Sequence, residues 1–387
     1  MIAGPVRTPI GKFGGALASL TASDLGTVAA RAALERAGVA PQAVDEVIFG
    51  NARQAGVRPN LARQVGYRAG VPVTTPAYTI NKACGSSLKA VINAYGAIAL
   101  GDAEVVLAGG AESMSNTHYL LMGARWGYRL GHSQVVDGMY RDGFLCPLCE
   151  QLMGETAENL VDRHRITREE SDGYAAETQQ RCERARKSGR FRDEIAPIEV
   201  PGAKPTTLVE DEHPRDGVTA EGLAKLPPVF RPTGTVHAGN SSGITDGAAA
   251  MLVLSEERAK ELGVVPLARI AAYASAGVDP AIMGICPVPA IQKLLAKTKL
   301  SLKDIDLIEL NEAFASQVLA CQRELSLDLE RVNVNGGAIA LGHPIGATGS
   351  RIVVTLLHEM KKRGARRGIA TLCISGGLGL AVLFESL

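Results

Sequence analysis

Two widely separated segments of the chain share one pattern, and this repetition constrains the fold more than any other feature. Residues 41–51 (PQAVDEVIFGN) and 301–311 (SLKDIDLIELN) each combine a capped turn, an acidic residue, an apolar strand and a final Asn. A long helix and then an apolar strand ending in glycines follow each segment. Such self-similarity is the signature of a duplicated unit. It predicts two copies of one α/β half, and the alternative is two unrelated α/β segments.

Helical and strand patterns alternate along both ends of the chain, which predicts an α/β architecture. We expect helices and strands over the following residues: helices 23–37, 86–100, 347–362 and one after Pro289, and strands 45–49, 104–108, 305–310, within 368–374 and within 379–384.

The middle of the chain differs from its two ends. Residues 114–243 are richer in charge and proline and less regular, with helices predicted at 155–164 and 168–187. Insertions of this size in a rigid α/β core often cover a ligand site. We therefore expect an inserted loop domain between two halves. The predicted boundaries are 1–113 with 244–265 for the first half, 114–243 for the loop domain and 266–387 for the second half.

Composition and charge exclude several classes of protein. Hydrophobic residues make up 46% of the chain and the net charge is +1, which argues against disorder and against a basic nucleic-acid-binding surface. No stretch approaches the roughly 20 apolar residues of a membrane span, and the N-terminus lacks a secretory-signal pattern. Seven irregularly spaced cysteines favour reduced thiols over a disulfide framework. We expect a cytoplasmic protein without nucleic-acid or membrane partners.

Cys84 is a candidate nucleophile. It follows the strand-like TPAYTI and precedes a predicted helix. Unpaired N–H groups at a helix start favour a thiolate, the nucleophilic form of cysteine. The alternative is a buried structural thiol, which is the commoner fate of cysteine.

His343 is a candidate proton carrier, because four nearby glycines and a proline place its imidazole in a loop before a helix. A turn histidine without a function is the alternative. Asn311, at the end of a predicted strand, is either a polar anchor or a turn residue. Cys373 ends another apolar strand and by itself is typical of a core thiol.

Cys146 and Cys149 form a single CxxC pair. Structural zinc requires four ligands, and no second pair or histidine doublet completes the set. Metal or redox use of the pair is therefore the weaker interpretation, and we expect no metal site.

Taken together, these motifs resemble the thiolase family along nearly the whole chain. The resemblance rests on the segments RTPIGKFGG (7–15), NKACGSSL (81–88), GGAESMS (109–115), AGNSSG (238–243), DGAAA (246–250), NEAFA (311–315), GHP (342–344) and CISGG (373–377).

The resemblance implies a five-layered α/β/α/β/α core of two duplicated halves plus an inserted loop domain. It also implies a CoA-dependent acyltransferase that cleaves 3-ketoacyl-CoA reversibly. In that reaction Cys84 would be the acylated nucleophile and Cys373 the acid/base at the α-carbon of the other acyl-CoA. His343 would activate Cys84 and help to hold the enolate oxygen, and Asn311 would fix a water beside it. The backbone N–H groups of Cys84 and Ser375 would form a second oxyanion site.

The resemblance further implies that coenzyme A and acyl-CoA bind against the loop domain as substrates, with no separate cofactor. The residues at family CoA-contact positions are Met153, Arg215, Phe230, Ala238 and Ser242. The segment MGARWGYR (122–129) is similar to the loop through which some members form tetramers, so we expect a homodimer or homotetramer.

Two positions depart from the family pattern. Residue 375 is Ser where Gly is usual, and Leu152 stands where the biosynthetic acetoacetyl-CoA branch often has His. Together with LPPVF (226–230) and NVNGG (333–337), Leu152 favours a 3-ketoacyl-CoA thiolase involved in fatty acid and lipid metabolism.

Three other interpretations remain at this point. A strict acetoacetyl-CoA thiolase is one. An acyl-carrier-protein-dependent condensing enzyme of related fold would not need Cys373. An inactive thiolase-like binding subunit would not need the four polar site residues.

Overall fold

A computed structural model describes all residues, 1–387, and contains sixteen strands. They are β1 Ile2–Arg7, β2 Gly11–Lys12, β3 Glu46–Gly50, β4 Ala77–Ile80, β5 Val105–Ser113, β6 Tyr119–Leu121, β7 Val135–Asp137, β8 Leu145–Cys146, β9 Gln151–Leu152, β10 Ile198–Val200, β11 Thr206–Leu208, β12 Thr245–Leu254, β13 Ala268–Gly277, β14 Leu307–Leu310, β15 Arg367–Ile374 and β16 Leu378–Ser386.

Eleven α-helices accompany the strands. They are α1 Ala22–Ala37, α2 Leu61–Arg68, α3 Ser86–Leu100, α4 Met153–His164, α5 Arg168–Lys187, α6 Ala220–Leu223, α7 Glu256–Glu261, α8 Pro287–Thr298, α9 Ala315–Leu325, α10 Ala338–Leu341 and α11 Thr348–Arg363. None of them combines the length and the apolar character that crossing a bilayer requires.

The two ends of the chain fold into halves of the same topology, which confirms the predicted duplication. The first half orders its strands β1-β12-β5-β3, and the second half orders its strands β13-β16-β15-β14. In each half the first two pairings are antiparallel and the third is parallel. A single residue pair, Ile2 with Ala268, joins the halves into one large sheet. β4 extends only the first half.

The apolar core has three parts separated by the two halves of the sheet, because successive strand residues face opposite sides. In β3, Val47 and Phe49 face an outer cluster beneath α1 and α2, whereas Ile48 faces a middle cluster. In β14, Ile308 faces the second outer cluster beneath α8 and α9, whereas Leu307 faces the same middle cluster. α3 and α11 pack against each other in the middle. The result is a five-layered α/β/α/β/α core.

The two halves differ most in the segment that connects one corresponding pair of antiparallel strands, β5 with β12 in the first half and β15 with β16 in the second. In the second half β15 and β16 are joined by residues 375–377 alone. In the first half the corresponding β5 and β12 are joined by residues 114–244, which contain α4, α5, α6 and three small hairpins. These residues form the inserted loop domain of the fold.

Candidate active site

One cavity of about 670 Å³ collects most of the polar residues that the sequence singles out. Cys84, His343, Cys373 and Ser375 all line it, although they come from loops and strand ends of both halves. The remaining walls are mostly apolar and come largely from the loop domain. They include Phe144, Leu145, Pro147, Leu152, Met153 and Phe230.

Cys84 lies in a strained turn between β4 and α3. The preceding residue, Ala83, has a φ of +45°, an unfavourable angle for a residue with a Cβ. The Ser86 hydroxyl stabilises this turn: it donates to the Ala83 carbonyl at 2.7 Å and accepts from the Lys82 N–H at 2.8 Å. The Asn81 side chain accepts from the Ala83 N–H at 3.0 Å. The turn thereby holds the thiol at the cavity wall.

The Cys84 thiol is not a resting thiolate, contrary to the expectation from its position. Burial raises its pKa, and this effect outweighs the Arg53 guanidinium and the N–H groups of Ser375 and Cys84, which lower it. α3 begins at Ser86, with Gly85 as its N-cap. Any lowering of the Cys84 pKa by this helix start is smaller than the increase that burial causes. A neutral thiol of this kind needs a base to take its proton.

His343, the proton carrier that the sequence suggests, lines the same cavity. Its Nδ1 lies 2.6 Å from the Thr348 hydroxyl, whereas its Nε2 is buried without a hydrogen-bond partner. Burial lowers the pKa of His343 to about 3, with smaller contributions from the positive charges of Arg351 and Arg53. The imidazole is therefore neutral above that pH and carries a lone pair on one ring nitrogen.

Cys373 is the second-last residue of β15 and lines the same cavity as Cys84. Burial raises its pKa well above the usual value, and charge on Cys84 raises it further. The turn that carries Cys84 packs closely against the end of β15, since a Cβ added to Gly85 would lie 2.4 Å from the Ile374 side chain. Two thiols that both hold their protons at rest thus share one cavity.

Ser375 adopts an ordinary backbone angle, so its side chain causes no strain. The positive φ angles of this turn belong instead to Gly376 and Gly377, at +85° and +79°. The N–H groups of Ser375 and of Cys84 itself lie near enough to the Cys84 sulfur to lower the pKa of its thiol. The departure from the usual Gly therefore leaves both donors in place.

Asn311 is buried and does not line the cavity, although Ala313, two residues further on, does. The backbone N–H of Asn311 donates to the Thr371 carbonyl at 3.0 Å, but both atoms of its side-chain amide are buried without a protein partner. Buried polar atoms normally find a partner, and ordered water supplies it where the protein does not. The unpaired amide fits a water-holding residue.

The five predicted CoA contacts divide into two groups. Met153, Phe230 and Ser242 line the cavity. Arg215 and Ala238 do not line it and are exposed on the loop domain. Their contact with CoA remains a prediction.

Glu112 connects loops from both halves at the site, which the sequence did not indicate. Its buried carboxylate accepts from the N–H groups of Ala52, Arg53 and Gly346 at 3.0, 3.1 and 2.8 Å. It also accepts from the Asn51 amide at 2.7 Å. This role of Glu112 is visible only in the tertiary structure, although the GGAES motif that contains Glu112 lies on β5.

The Cys146–Cys149 pair does not line the cavity, although Pro147 between the two cysteines does. Cys146 is buried in β8 and Cys149 is partly exposed in the turn before β9. No group of three or more His, Cys, Asp or Glu residues in the chain is arranged to hold a metal ion.

Two family models match nearly the whole chain. The model "Thiolase, N-terminal domain" matches residues 1–257, and "Thiolase, C-terminal domain" matches residues 264–386. The chain belongs to the thiolase family. It is 54% identical to an acetyl-CoA acetyltransferase of Pseudomonas aeruginosa over 99% of this chain and 98% of that protein.

Two solved thiolase-fold structures superimpose on the whole chain. An acetyl-CoA acetyltransferase of Bacillus anthracis has a TM-score of 0.97 at 49% identity, covering 98% of that chain. Human mitochondrial 3-ketoacyl-CoA thiolase in complex with CoA has a TM-score of 0.96 at 48% identity, covering 97% of that chain. The fold predicted from the sequence is thus confirmed.

Arg53 is a cavity residue that the sequence did not indicate, and it provides a test of the local electrostatics. Because its charge lowers the Cys84 pKa, Arg53→Met should raise that pKa further and reduce the thiolate fraction. At about pH 8 we expect iodoacetamide to alkylate Cys84 at least about threefold more slowly than in the wild type.

The matched control is Arg53→Lys, which keeps the charge and should alkylate nearly as the wild type does. Rates for Arg53→Met and wild type should converge at alkaline pH, where both thiols are ionised. Equal rates at every pH would show that Arg53 does not act on Cys84.

Proposed function

We propose that this thiolase cleaves 3-ketoacyl-CoA with coenzyme A, reversibly, through an acyl-Cys84 intermediate. The observation that carries the proposal is the meeting of Cys84, His343 and Cys373 in one cavity. The complex of the human 3-ketoacyl-CoA thiolase with CoA supports the same ligand for this chain. Direct measurement of acetyl-CoA formation from a 3-ketoacyl-CoA and CoA tests the proposal.

The first step forms the acyl-enzyme. His343 takes the Sγ proton of Cys84 on Nε2, and the thiolate attacks the carbonyl carbon of the acyl group. Charge then develops on the carbonyl oxygen, where the N–H groups of Cys84 and Ser375 are the proposed donors. Such donors each contribute about 10²–10³ in rate when correctly placed. With acetyl-CoA as the acyl donor, the departing CoA thiolate takes the proton from His343. With a 3-ketoacyl-CoA, the departing group is the enolate of acetyl-CoA; CoA then attacks the acyl-enzyme as its thiolate, and Cys84 regains its proton from His343. Splitting the reaction in this way gives ping-pong kinetics.

A proton must also move at the α-carbon whenever the carbon–carbon bond is made or broken. In thiolysis the departing enolate of acetyl-CoA receives a proton from Cys373, and in condensation Cys373 removes that proton. His343 and a water held by Asn311 are the proposed donors to the enolate oxygen. The raised pKa of Cys373 fits this role, because a thiol that keeps its proton at rest can deliver it to carbon.

The apolar walls favour acyl groups longer than the acetoacetyl group. Leu152 lines the cavity where strict acetoacetyl-CoA enzymes often carry His, and Phe144, Met153 and Ile345 line it as well. Each buried methylene contributes about 0.8 kcal/mol when it leaves water. These walls are therefore suited to an extended acyl chain.

We expect thiolysis to persist when the acyl chain of the 3-ketoacyl-CoA is lengthened beyond the acetoacetyl group. A series of 3-ketoacyl-CoA substrates of increasing length, assayed for kcat/KM, measures this. Activity on acetoacetyl-CoA alone would instead establish the strict biosynthetic enzyme, and lack of activity on every length would favour a binding subunit.

We further propose a homo-oligomeric protein of the cytoplasm. The support for self-association is the β6–β7 segment, where Trp126, Leu130 and Tyr119 are all strongly exposed. Large exposed apolar groups that lie together mark interaction surfaces. Sedimentation in solution distinguishes a dimer from a tetramer.

A further inference from the structure

One ring nitrogen of His343 contacts a residue with no assigned role that does not itself line the cavity. Thr348 is the first residue of α11 and is fully buried. Its Oγ1 lies 2.6 Å from His343 Nδ1 and 3.0 Å from the Pro344 carbonyl oxygen. No other hydrogen bond reaches the imidazole ring, since Nε2 has no partner.

These two distances allow the hydroxyl to accept a hydrogen bond from the ring. A hydroxyl has one proton to donate and lone pairs to accept with. When Thr348 donates to the Pro344 carbonyl, it must accept from Nδ1–H, and Nε2 is then the unprotonated nitrogen. The hydrogen bond at one ring nitrogen sets the state of the other.

We infer that Thr348 is the third member of a Cys84–His343–Thr348 relay and acts as a positioning residue. The inference rests on the proposed function, in which Nε2 receives the Cys84 proton. Once that proton arrives, the ring is a buried cation with N–H on both nitrogens. The Thr348 hydroxyl then accepts a hydrogen bond from Nδ1–H, while it continues to donate its own proton in a hydrogen bond to the Pro344 carbonyl. The Nε2 proton later passes to the sulfur of the departing CoA, so the ring ends the step neutral.

The local charges make this acceptor important. The only charged groups identified as acting on the ring are Arg351 and Arg53, and both oppose its protonation. No carboxylate contacts the ring, in contrast to catalytic triads that use Asp. The neutral hydroxyl is thus the one hydrogen-bond acceptor at Nδ1, and an unpaired donor on a buried cation would be costly.

The test compares Thr348→Val with Thr348→Ser. Valine has nearly the shape of threonine without the hydroxyl, whereas serine keeps the hydroxyl. The control is Thr355→Val, two turns along α11, where a buried threonine donates to Glu194 at 3.3 Å, away from the cavity. Acetyl-Cys84 formation from acetyl-CoA is followed in single-turnover experiments by quenching and mass spectrometry, alongside steady-state kcat and KM.

Thr348→Val should form acetyl-Cys84 about 10–100-fold more slowly, with KM changed by less than about twofold. Thr348→Ser should recover most of the rate, and Thr355→Val should behave as the wild type. The relay is wrong if Thr348→Val acylates at the wild-type rate, if Thr348→Ser fails equally, or if Thr355→Val falls as far. A wild-type enzyme that does not acylate at all would instead overturn the proposed function.

Discussion

Replacement of Cys84 by Ala should abolish acyl-enzyme formation and lower thiolysis by about 10⁴-fold or more. The cavity presents one other candidate thiol, Cys373, and its more strongly raised pKa makes it the poorer nucleophile. Incubation with acetyl-CoA followed by peptide mass spectrometry should show acetyl on Cys84 in the wild type and no adduct in the variant.

Two comparisons make the Cys84 result specific. Cys84→Ser keeps an oxygen nucleophile, but a hydroxyl is far harder to ionise, so we expect nearly the same loss. Cys149→Ala removes a partly exposed thiol with no proposed role and should acylate normally. A stoichiometric acyl adduct on the Cys84→Ala protein would remove Cys84 from the mechanism.

Replacement of Cys373 by Ala should separate the two steps of the reaction. Acylation of Cys84 by acetyl-CoA requires only His343 and the N–H donors, so its rate should remain within a few-fold of the wild type. Carbon–carbon bond cleavage and formation should fall by about 10²–10⁴-fold, the usual contribution of a positioned acid or base.

The Cys373 prediction is checked by three assays on one protein: acetyl-Cys84 formation, acetoacetyl-CoA cleavage, and exchange of the acetyl-CoA methyl hydrogens in deuterated water. The last two should be lost together because both need a proton carrier at the α-carbon. Condensation at the wild-type rate would show that another group supplies that proton.

Much of the fold could be predicted from the sequence, because periodicity and turn residues report local structure. The helices at 86–100 and 168–187 have the predicted ends, and the repeat at 41–51 and 301–311 forms a 3₁₀ turn and a strand in each copy. The strand β13 was not predicted, because its Ala and Ser residues weaken the apolar pattern that indicates a strand. The strand predicted at 104–108 extends to Ser113, because both of its faces are covered.

The chemistry of the site was less accessible to sequence reasoning. The helix-start argument for a Cys84 thiolate considered only neighbours in the chain, whereas the pKa depends on burial by both halves. The carboxylate of Glu112 and the hydroxyl of Thr348 act through contacts that only folding creates. The resemblance to thiolases identified the cysteines and the histidine but not the groups that orient them.

The central claim is that Cys84 carries the acyl group while Cys373 handles the proton on carbon. A crystal structure of the Cys373→Ala variant soaked with acetyl-CoA tests this claim most directly. The account predicts acetyl density continuous with the Cys84 sulfur, with the carbonyl oxygen facing the N–H groups of Cys84 and Ser375. An unmodified Cys84, or acetyl on another residue, in crystals that bind acetyl-CoA would contradict it.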